Sequence, residues 1–184
     1  RYISEGHTVG MFQLEGNGMT SRIMQMQPTE LEHLIAMIAL FRPGPMDSIP
    51  EYIDRMHGRK PVKYAHEKLQ PILEETYGHA VYQEQVMQAA IVLAGYSPAD
   101  SDKLRSAISK KKEKEIAAHR VQFIEGAVRN GIARKDAESI FTDWEGFAHY
   151  GFNKSHAADY GVIAVQTAYL KYYYPVEYMT ALVS

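Results

Sequence analysis

Cysteine is missing from the 184-residue sequence, and its absence excludes several kinds of chemistry at once. Without thiols the chain forms no disulfide, carries no thiolate nucleophile and lacks the cysteine ligands of the common zinc sites. No apolar run in the sequence is long enough to span a membrane, and no basic-then-apolar leader is present. Together these absences predict a cytoplasmic protein.

The sequence also lacks a large net charge and any convincing period-two alternation of apolar residues. Its formal charge is −2, so a chain that is basic throughout is excluded, and any basic function must be local. Apolar residues recur instead at helical intervals, as at Leu31, Ile35 and Ile38. We therefore predict an all-α fold, an irregular arrangement of many helices, with 1–78 and 79–184 as sub-regions.

Local signals predict where these helices begin and end. Ser97 followed by Pro98 is typical of an N-cap and a first helical position. Thr29 and Glu32 have the spacing of a capping box, and Pro43 ends the helix that follows them. The predicted helices cover about 29–41, 49–57, 69–76, 82–94, 97–110, 112–129, 134–148, 155–173 and 175 onward. The start at Arg1 and the apolar pattern that runs into Ser184 predict a piece of a longer protein.

The stretch from Tyr150 to Tyr160 contains the first candidate for a binding site. Gly151 predicts a turn, and Ser155 is suited to cap the helix that follows. The N-terminus of a helix presents unpaired N–H groups and partial positive charge, which favour phosphate, and Lys154 and His156 lie beside it. On these grounds a phosphate pocket and a simple capped helix with solvent-facing side chains are equally well supported.

A local excess of positive charge follows in the segment 103–120. Seven Lys or Arg stand there against two acids, Glu113 and Glu115, which is a local charge of +5. Positive charge gathered in an otherwise acidic chain indicates a polyanionic partner, whereas the alternative is a solvated helix face with a lysine-rich turn. Asp100 and Asp102 fall in the first turn of a helix, where acids stabilise the helix dipole, so we predict no metal site.

Three further polar positions have both a functional and a structural interpretation. Arg42 precedes Pro43-Gly44-Pro45, a stiff turn that holds its side chain in one direction or simply connects two helices. Gln83 and Gln85 are long polar groups near the start of a helix, and they reach either a substrate or only water. No phosphate-binding glycine loop and no Ser-His-Asp grouping accompany them.

Six motifs in this order resemble the C-family of bacterial replicative DNA polymerases, the catalytic alpha subunits of DNA polymerase III. They are Gly10-Met11-Phe12-Gln13-Leu14-Glu15; Ile35-Ala36 with Ala39-Leu40-Phe41-Arg42-Pro43-Gly44-Pro45-Met46; Thr76-Tyr77-Gly78; Val81-Tyr82-Gln83-Glu84-Gln85-Val86-Met87-Gln88 with Leu93-Ala94-Gly95-Tyr96; Phe147-Ala148 with Tyr150-Gly151-Phe152-Asn153-Lys154-Ser155-His156; and Gln166-Thr167-Ala168-Tyr169-Leu170-Lys171. The resemblance covers nearly the whole chain.

This resemblance implies that 1–184 is part of a helical fingers domain, which closes over the incoming deoxynucleoside triphosphate (dNTP) and the template base. It implies DNA-directed DNA polymerase activity for the full protein, with primer–template DNA, the sliding clamp and the clamp loader as partners. Two Mg²⁺ ions would be held by acids of the palm, which precedes this region. No catalytic residue and no metal ligand is therefore expected within the chain, and the isolated fragment should be inactive.

The resemblance also suggests which residues contact the substrates. Phosphate contacts are expected from Arg42, Arg105, Lys110, Lys111 and Lys154, with Asn153 and His156 orienting the sugar, the base or other side chains. Template or base contacts are expected from Tyr82, Gln83 and Gln85, although for Tyr82 a place in the core is equally well supported.

The chain departs from the family pattern at one basic motif. Where the family usually has Leu-Arg-Arg-Ala-Met-Gly-Lys-Lys, this chain has Ser106 in place of the second arginine and Ser109 in place of the glycine. The interpretation of the chain as a divergent family member, such as an error-prone paralogue, stays open. A non-enzymatic helical DNA-binding module and a scaffold for an acidic protein remain as alternatives from other functional classes.

Overall fold

A computed structural model describes residues 1–147 and 151–184 of the chain, and these residues form ten α-helices without a β-strand. The all-α prediction is confirmed. The helices are α1 Asn17–Met26, α2 Leu31–Leu40, α3 Ile49–Met56, α4 Gln70–Leu73, α5 Gln83–Ala94, α6 Pro98–Ser109, α7 Glu113–Arg129, α8 Arg134–Phe147, α9 Lys154–Tyr173 and α10 Pro175–Val183. Short 3₁₀ turns occupy Pro45–Ser48, Glu67–Leu69 and Glu74–Thr76.

Most predicted helix ends agree with the structure because they rest on local chemistry. The hydroxyl of Ser97 accepts a hydrogen bond of 3.1 Å from the backbone N–H of Asp100, and Pro98 takes the first position of α6. Gly95 ends α5 in the left-handed conformation, with φ of 69°. Helix α2 ends at Phe41, before Pro43, as the proline requires.

The capping box predicted at Thr29 and Glu32 is wrong. The N-cap of α2 is Glu30, and its side chain makes no capping hydrogen bond. The backbone N–H of Thr29 donates instead to Nδ1 of His33, at 3.3 Å. A histidine one turn into α2 therefore supplies the acceptor at this helix start, and the Thr-x-x-Glu spacing does not reveal it.

The chain folds into two compact units, and the first combines Arg1–Asp54 with Lys154–Ser184. The second unit is Arg55–Asn153, so the boundary expected at 78/79 falls inside it. The first unit joins two segments that are separated in the sequence by the whole of Arg55–Asn153. Local sequence patterns carry no signal for such a pairing.

In the first unit, α2 packs against α9 through small residues. The buried positions of α9 are Ala157, Gly161, Ala164 and Ala168, and a side-chain carbon at Gly161 would lie 2.8 Å from Cγ1 of Ile35. The absence of side-chain bulk thus allows the two helices to approach closely. Eight of the ten residues of α2 are buried, which explains why its sequence is apolar without interruption after His33.

The second unit is built around an aromatic and aliphatic core from α5 to α8. Phe123 of α7 lies against Phe141 and Trp144 of α8, with ring centroids 5.5 and 4.7 Å away. Leu93 and Ala90 of α5 are fully buried in the same cluster. This core fixes the start of α5 and the end of α6, where the candidate polar residues of the unit lie.

Candidate functional site

Gln83 connects two distant segments of the second unit at the start of α5. Its side-chain nitrogen donates hydrogen bonds to Oγ of Ser109, at 3.1 Å, and to the carbonyl oxygen of Gly151, at 3.0 Å. Its backbone N–H donates to the carbonyl oxygen of Phe152 at 2.9 Å, within a single parallel bridge between Tyr82 and Phe152. Residues 151–152 and the end of α6 are therefore tied to the same glutamine.

The neighbouring positions Asn153, Glu84 and Tyr82 differ strongly in exposure. Asn153 is exposed, and its side-chain nitrogen donates a 2.8 Å hydrogen bond to Oε1 of Glu84. Tyr82 is only 2% exposed, so its ring belongs to the core. Of the two interpretations left open for Tyr82, its burial favours the structural one.

Gln85 lies one turn along α5 and is 5% exposed. Its side-chain oxygen accepts from the backbone N–H groups of Val81 and Tyr82, at 2.9 and 3.0 Å. Its side-chain nitrogen donates to the carbonyl oxygen of Ile72 at 3.2 Å and to the hydroxyl of Thr76 at 2.8 Å. Because both amide atoms are fully engaged inside the protein, Gln85 supports the start of α5.

Helix α6 ends in a tight reversal that orients Lys110 and Lys111. The backbone N–H of Lys112 donates to the carbonyl of Ala107, and that of Lys111 donates to the carbonyl of Ile108, at 2.9 and 3.1 Å. This paired pattern closes a Schellman motif, in which the residue after the cap is left-handed. Lys111 takes that position with φ of 53°, although glycine is the usual residue there.

Four of the seven cations in the segment 103–120 are engaged in ion pairs with nearby acids. These pairs are Lys103 with Asp100 at 2.9 Å, Arg105 with Asp102 at 2.8 Å, Lys112 with Glu115 at 2.7 Å and Arg120 with Glu145 at 2.5 Å. Lys110, Lys111 and Lys114 are exposed and make no ion pair with any described residue. The available positive charge is therefore concentrated between the end of α6 and the start of α7.

A cleft of about 580 Å³ opens beside these lysines. Its wall includes the apolar residues Ile108, Ile116 and Val121, and its charged lining is balanced, with Lys111 and Arg120 against Glu113 and Glu145. Because Arg120 is engaged with Glu145, the cleft has no excess of positive charge and does not by itself indicate an anionic ligand.

In the first unit, Arg42 lies in the turn after α2 and is partly buried. Its Nε donates a hydrogen bond of 2.8 Å to the carbonyl oxygen of Ala39. Burial lowers the pKa of the Arg42 guanidinium from its usual value. Gly44 has φ of 104°, a conformation that favours glycine and lets the chain turn into the 3₁₀ segment that follows.

Lys154 and His156 lie in the first turn of α9, also in the first unit. The helix begins at Lys154, so the prediction of Ser155 as its N-cap is wrong and Ser155 lies inside the helix. The rings of His156 and Tyr160 lie one turn apart, with centroids separated by 4.2 Å and planes tilted by 51°. Tyr150, which opens the candidate stretch, lies outside the described residues.

The described residues contain neither a side-chain cluster suited to a metal ion nor a helix suited to span a membrane. Within 1–147 and 151–184, no group of three or more His, Asp or Glu side chains is arranged to hold a metal ion. The residues present therefore do not fit the Mg²⁺ pair that the family resemblance implies for the full protein. None of the helices in the same described ranges is both long enough and apolar enough to cross a membrane.

Sequence patterns missed the acceptor role of Ser109 and the bond from Asn153 to Glu84. A serine that replaces an expected glycine was the only available signal at position 109, and it did not identify Gln83 as a partner. The Asn153–Glu84 bond joins positions 69 apart and has no local signature.

Comparison with known proteins agrees with the resemblance drawn from the motifs. The family model of the bacterial DNA polymerase III alpha subunit finger domain matches residues 1–131. The DNA polymerase III subunit alpha of Thermus aquaticus is 51% identical over 99% of this chain and 15% of the relative. The corresponding proteins of Escherichia coli K12 and Bacillus subtilis 168 are 48% and 47% identical, each over 99% of this chain and 16% of the relative.

The chain thus spans about one sixth of the length of these relatives, and it aligns with them beyond the part that the family model covers. The six motifs, the all-helical structure and the match over residues 1–131 agree with one another. The chain therefore belongs to the finger-domain family of bacterial DNA polymerase III alpha subunits.

Proposed function

We propose that the protein to which this chain belongs is a DNA-directed DNA polymerase that extends primers during chromosome replication. Family membership and the similarity to DNA polymerase III alpha subunits support this proposal. The task of this region is to position the incoming dNTP and the template. The chain contributes no bond-making group of its own, and we assign the binding of Mg²⁺ to residues elsewhere in the longer protein.

The observation that carries the positioning role is the set of exposed lysines after α6. Lys110, Lys111 and Lys114 make no ion pair with a described residue in a chain whose net charge is −2. A triphosphate builds up negative charge on its transferring and leaving oxygens, and cations held in place lower the energy of that state. The first two lysines follow a rigid helix end, so little backbone ordering is needed when phosphate binds.

Other polar groups of the second unit complete this surface. Arg105 contacts phosphate after exchanging its exposed ion pair with Asp102, which costs little in water. Asn153 is exposed and orients the sugar or the base, whereas the side-chain nitrogen of Gln83 is already engaged with Ser109 and Gly151. Tyr82 and Gln85 serve as buried supports that hold the start of α5 in place.

The first unit offers a separate set of phosphate contacts. Lys154 and His156 lie at the N-terminus of the 20-residue helix α9, where the helix dipole favours anions. Arg42 is held by the bond from its Nε to the carbonyl oxygen of Ala39, which gives its guanidinium a defined direction.

Single substitutions in the full-length enzyme test the phosphate assignments. Arg105→Ala, Lys110→Ala and Lys154→Ala should each raise the KM for dNTP or lower kcat, by about tenfold where a charged hydrogen bond is lost. Unchanged KM and kcat in all three variants would contradict the assignment. The isolated chain should show no primer extension with any divalent metal, and measurable extension would place the catalytic acids within it.

Partners follow from the same proposal. Primer–template DNA and dNTP are the substrates, the sliding clamp and the clamp loader are the replisome partners, and the cytoplasm is the compartment. Salt-sensitive DNA binding without any discrimination for nucleotides would instead favour a non-enzymatic helical DNA-binding module.

A further inference from the structure

We propose that Gln83 and Ser109 are positioning residues that aim Lys110 and Lys111 at phosphate. The inference rests on the proposed function and adds a mechanism to it. The lysines would provide the charge, and the glutamine–serine pair would hold that charge in one direction.

The first step is the geometry of the Gln83 amide. Its nitrogen has two hydrogens, and both are used, one toward Oγ of Ser109 and one toward the carbonyl oxygen of Gly151. A side chain that is fixed at both hydrogens cannot rotate without breaking a bond. Gln83 therefore acts as a clamp between the end of α6 and the segment at 151–152.

The second step is the position of Ser109 in α6. It is the last residue of the helix and directly precedes Lys110. The next backbone groups are held by the reversal at Lys111, whose φ of 53° is maintained by the bonds to Ala107 and Ile108. Because Ser109 is clamped on one side and the reversal is closed on the other, the backbone that carries both lysines has one orientation.

The positioning role of Gln83 and Ser109 is distinct from a role in stabilising the fold. Gln83 is partly buried and Ser109 is exposed, so their bond competes with water and contributes little to folding. The core of the unit lies in other residues, among them Leu93 and Phe123. Loss of the Gln83–Ser109 bond should therefore disturb the direction of the lysines while leaving the fold intact.

The test uses the full-length polymerase and steady-state primer extension. Ser109→Ala removes the acceptor, whereas Ser109→Thr retains a hydroxyl and serves as the matched control. Ser109→Ala and Gln83→Ala should each raise the KM for dNTP about three- to tenfold with a smaller change in kcat, and Ser109→Thr should stay close to the unmodified enzyme.

A second background shows whether the effect passes through the lysines. In a Lys110→Ala/Lys111→Ala enzyme, the further change Ser109→Ala should have no additional effect on the KM for dNTP. An equal effect of Ser109→Ala in both backgrounds would overturn the positioning role, and so would a KM that Ser109→Ala leaves unchanged.

The two levels of the proposal fail in different ways. If the double lysine variant itself keeps the KM for dNTP and for primer–template, the proposed function of these cations is wrong. If the double lysine variant is impaired while the serine and glutamine variants are not, only the positioning inference is wrong. Thermal unfolding of each variant excludes a general loss of structure as the cause.

Discussion

The side-chain nitrogen of Gln85 donates a 2.8 Å hydrogen bond to the hydroxyl of Thr76, and both residues are buried. The single hydroxyl hydrogen of Thr76 is donated to the carbonyl oxygen of His79 at 2.6 Å, and the carbonyl oxygen of Leu73 lies within reach at 3.2 Å. This pair joins the start of α5 to the turn before it. A polar residue inside the motif Val81–Gln88 thus stabilises the fold.

Replacing Gln85 with leucine tests this structural role. The change leaves the backbone N–H groups of Val81 and Tyr82 buried without their acceptor, which should lower the free energy of unfolding by roughly 3 kcal/mol. Urea denaturation measures the difference. Gln88 is exposed on the same helix, so Gln88→Leu is the control and should change stability by less than about 0.5 kcal/mol. Equal effects of the two changes would argue against a buried network.

Two glycines of the second unit should respond in opposite ways to alanine. A side-chain carbon at Gly126 of α7 would overlap the carbonyl oxygen of Ala94, where α5 ends, so Gly126→Ala should cost about 1–3 kcal/mol. Gly146 of α8 has open space around it, and Gly146→Ala should increase stability by about 0.5–1 kcal/mol. Thermal unfolding of both variants checks the pair, and a stabilised Gly126→Ala protein would contradict the close approach of α5 and α7.

The exposed lysines should govern the salt dependence of DNA binding. Lys110→Ala or Lys114→Ala should each reduce the slope of log affinity against log salt by about 0.9, because one counterion release is lost per phosphate contact. Lys103 is the matched control, since it is engaged with Asp100 at 2.9 Å. Fluorescence anisotropy with a duplex at several salt concentrations gives the slopes. If Lys103→Ala reduced this slope by the same amount, engagement in an ion pair would not determine which lysines contact DNA phosphates.

His119 should make stability depend on pH. It lies beside Tyr96, whose hydroxyl donates to the His119 carbonyl oxygen at 3.0 Å. Burial lowers the pKa of His119, outweighing Asp100 and Glu115, which favour the charged form. The folded protein therefore binds a proton less readily than the unfolded chain, and the stability present above the usual histidine pKa of about 6.5 is lost as the pH falls through the lowered value.

The measurement is the urea midpoint from about pH 7.5 down to about pH 5, compared with His119→Gln. The unmodified chain should lose stability more steeply over this range, since the glutamine variant lacks the titrating ring. The other seven histidines are common to both proteins and cancel in the comparison. If the urea midpoints of the two proteins changed in parallel with pH, burial of His119 would not affect the stability of the fold.

Much of the helical structure could be predicted because its signals act over a few residues. The Ser97 cap, the Gly95 stop and the end of α2 before Pro43 all follow from chemistry within one turn of the helix. Two local rules failed. His33 supplies the acceptor that the Thr29–Glu32 capping box predicted for Glu32, and α9 begins at Lys154, ahead of the predicted cap Ser155.

The sequence by itself determined the helical class, the family and the presence of a basic segment, since periodicity, motif order and charge are properties of the chain as written. Only the tertiary structure decided which of those charges are available and which polar groups are internal. Gln83 meets Gly151 across 68 positions, and Gln85 loses its access to solvent when α5 packs. Lys110 and Lys111 are exposed and make no ion pair with a described residue, whereas Lys103, Arg105 and Lys112 are engaged with acids. Such pairings depend on how the helices pack.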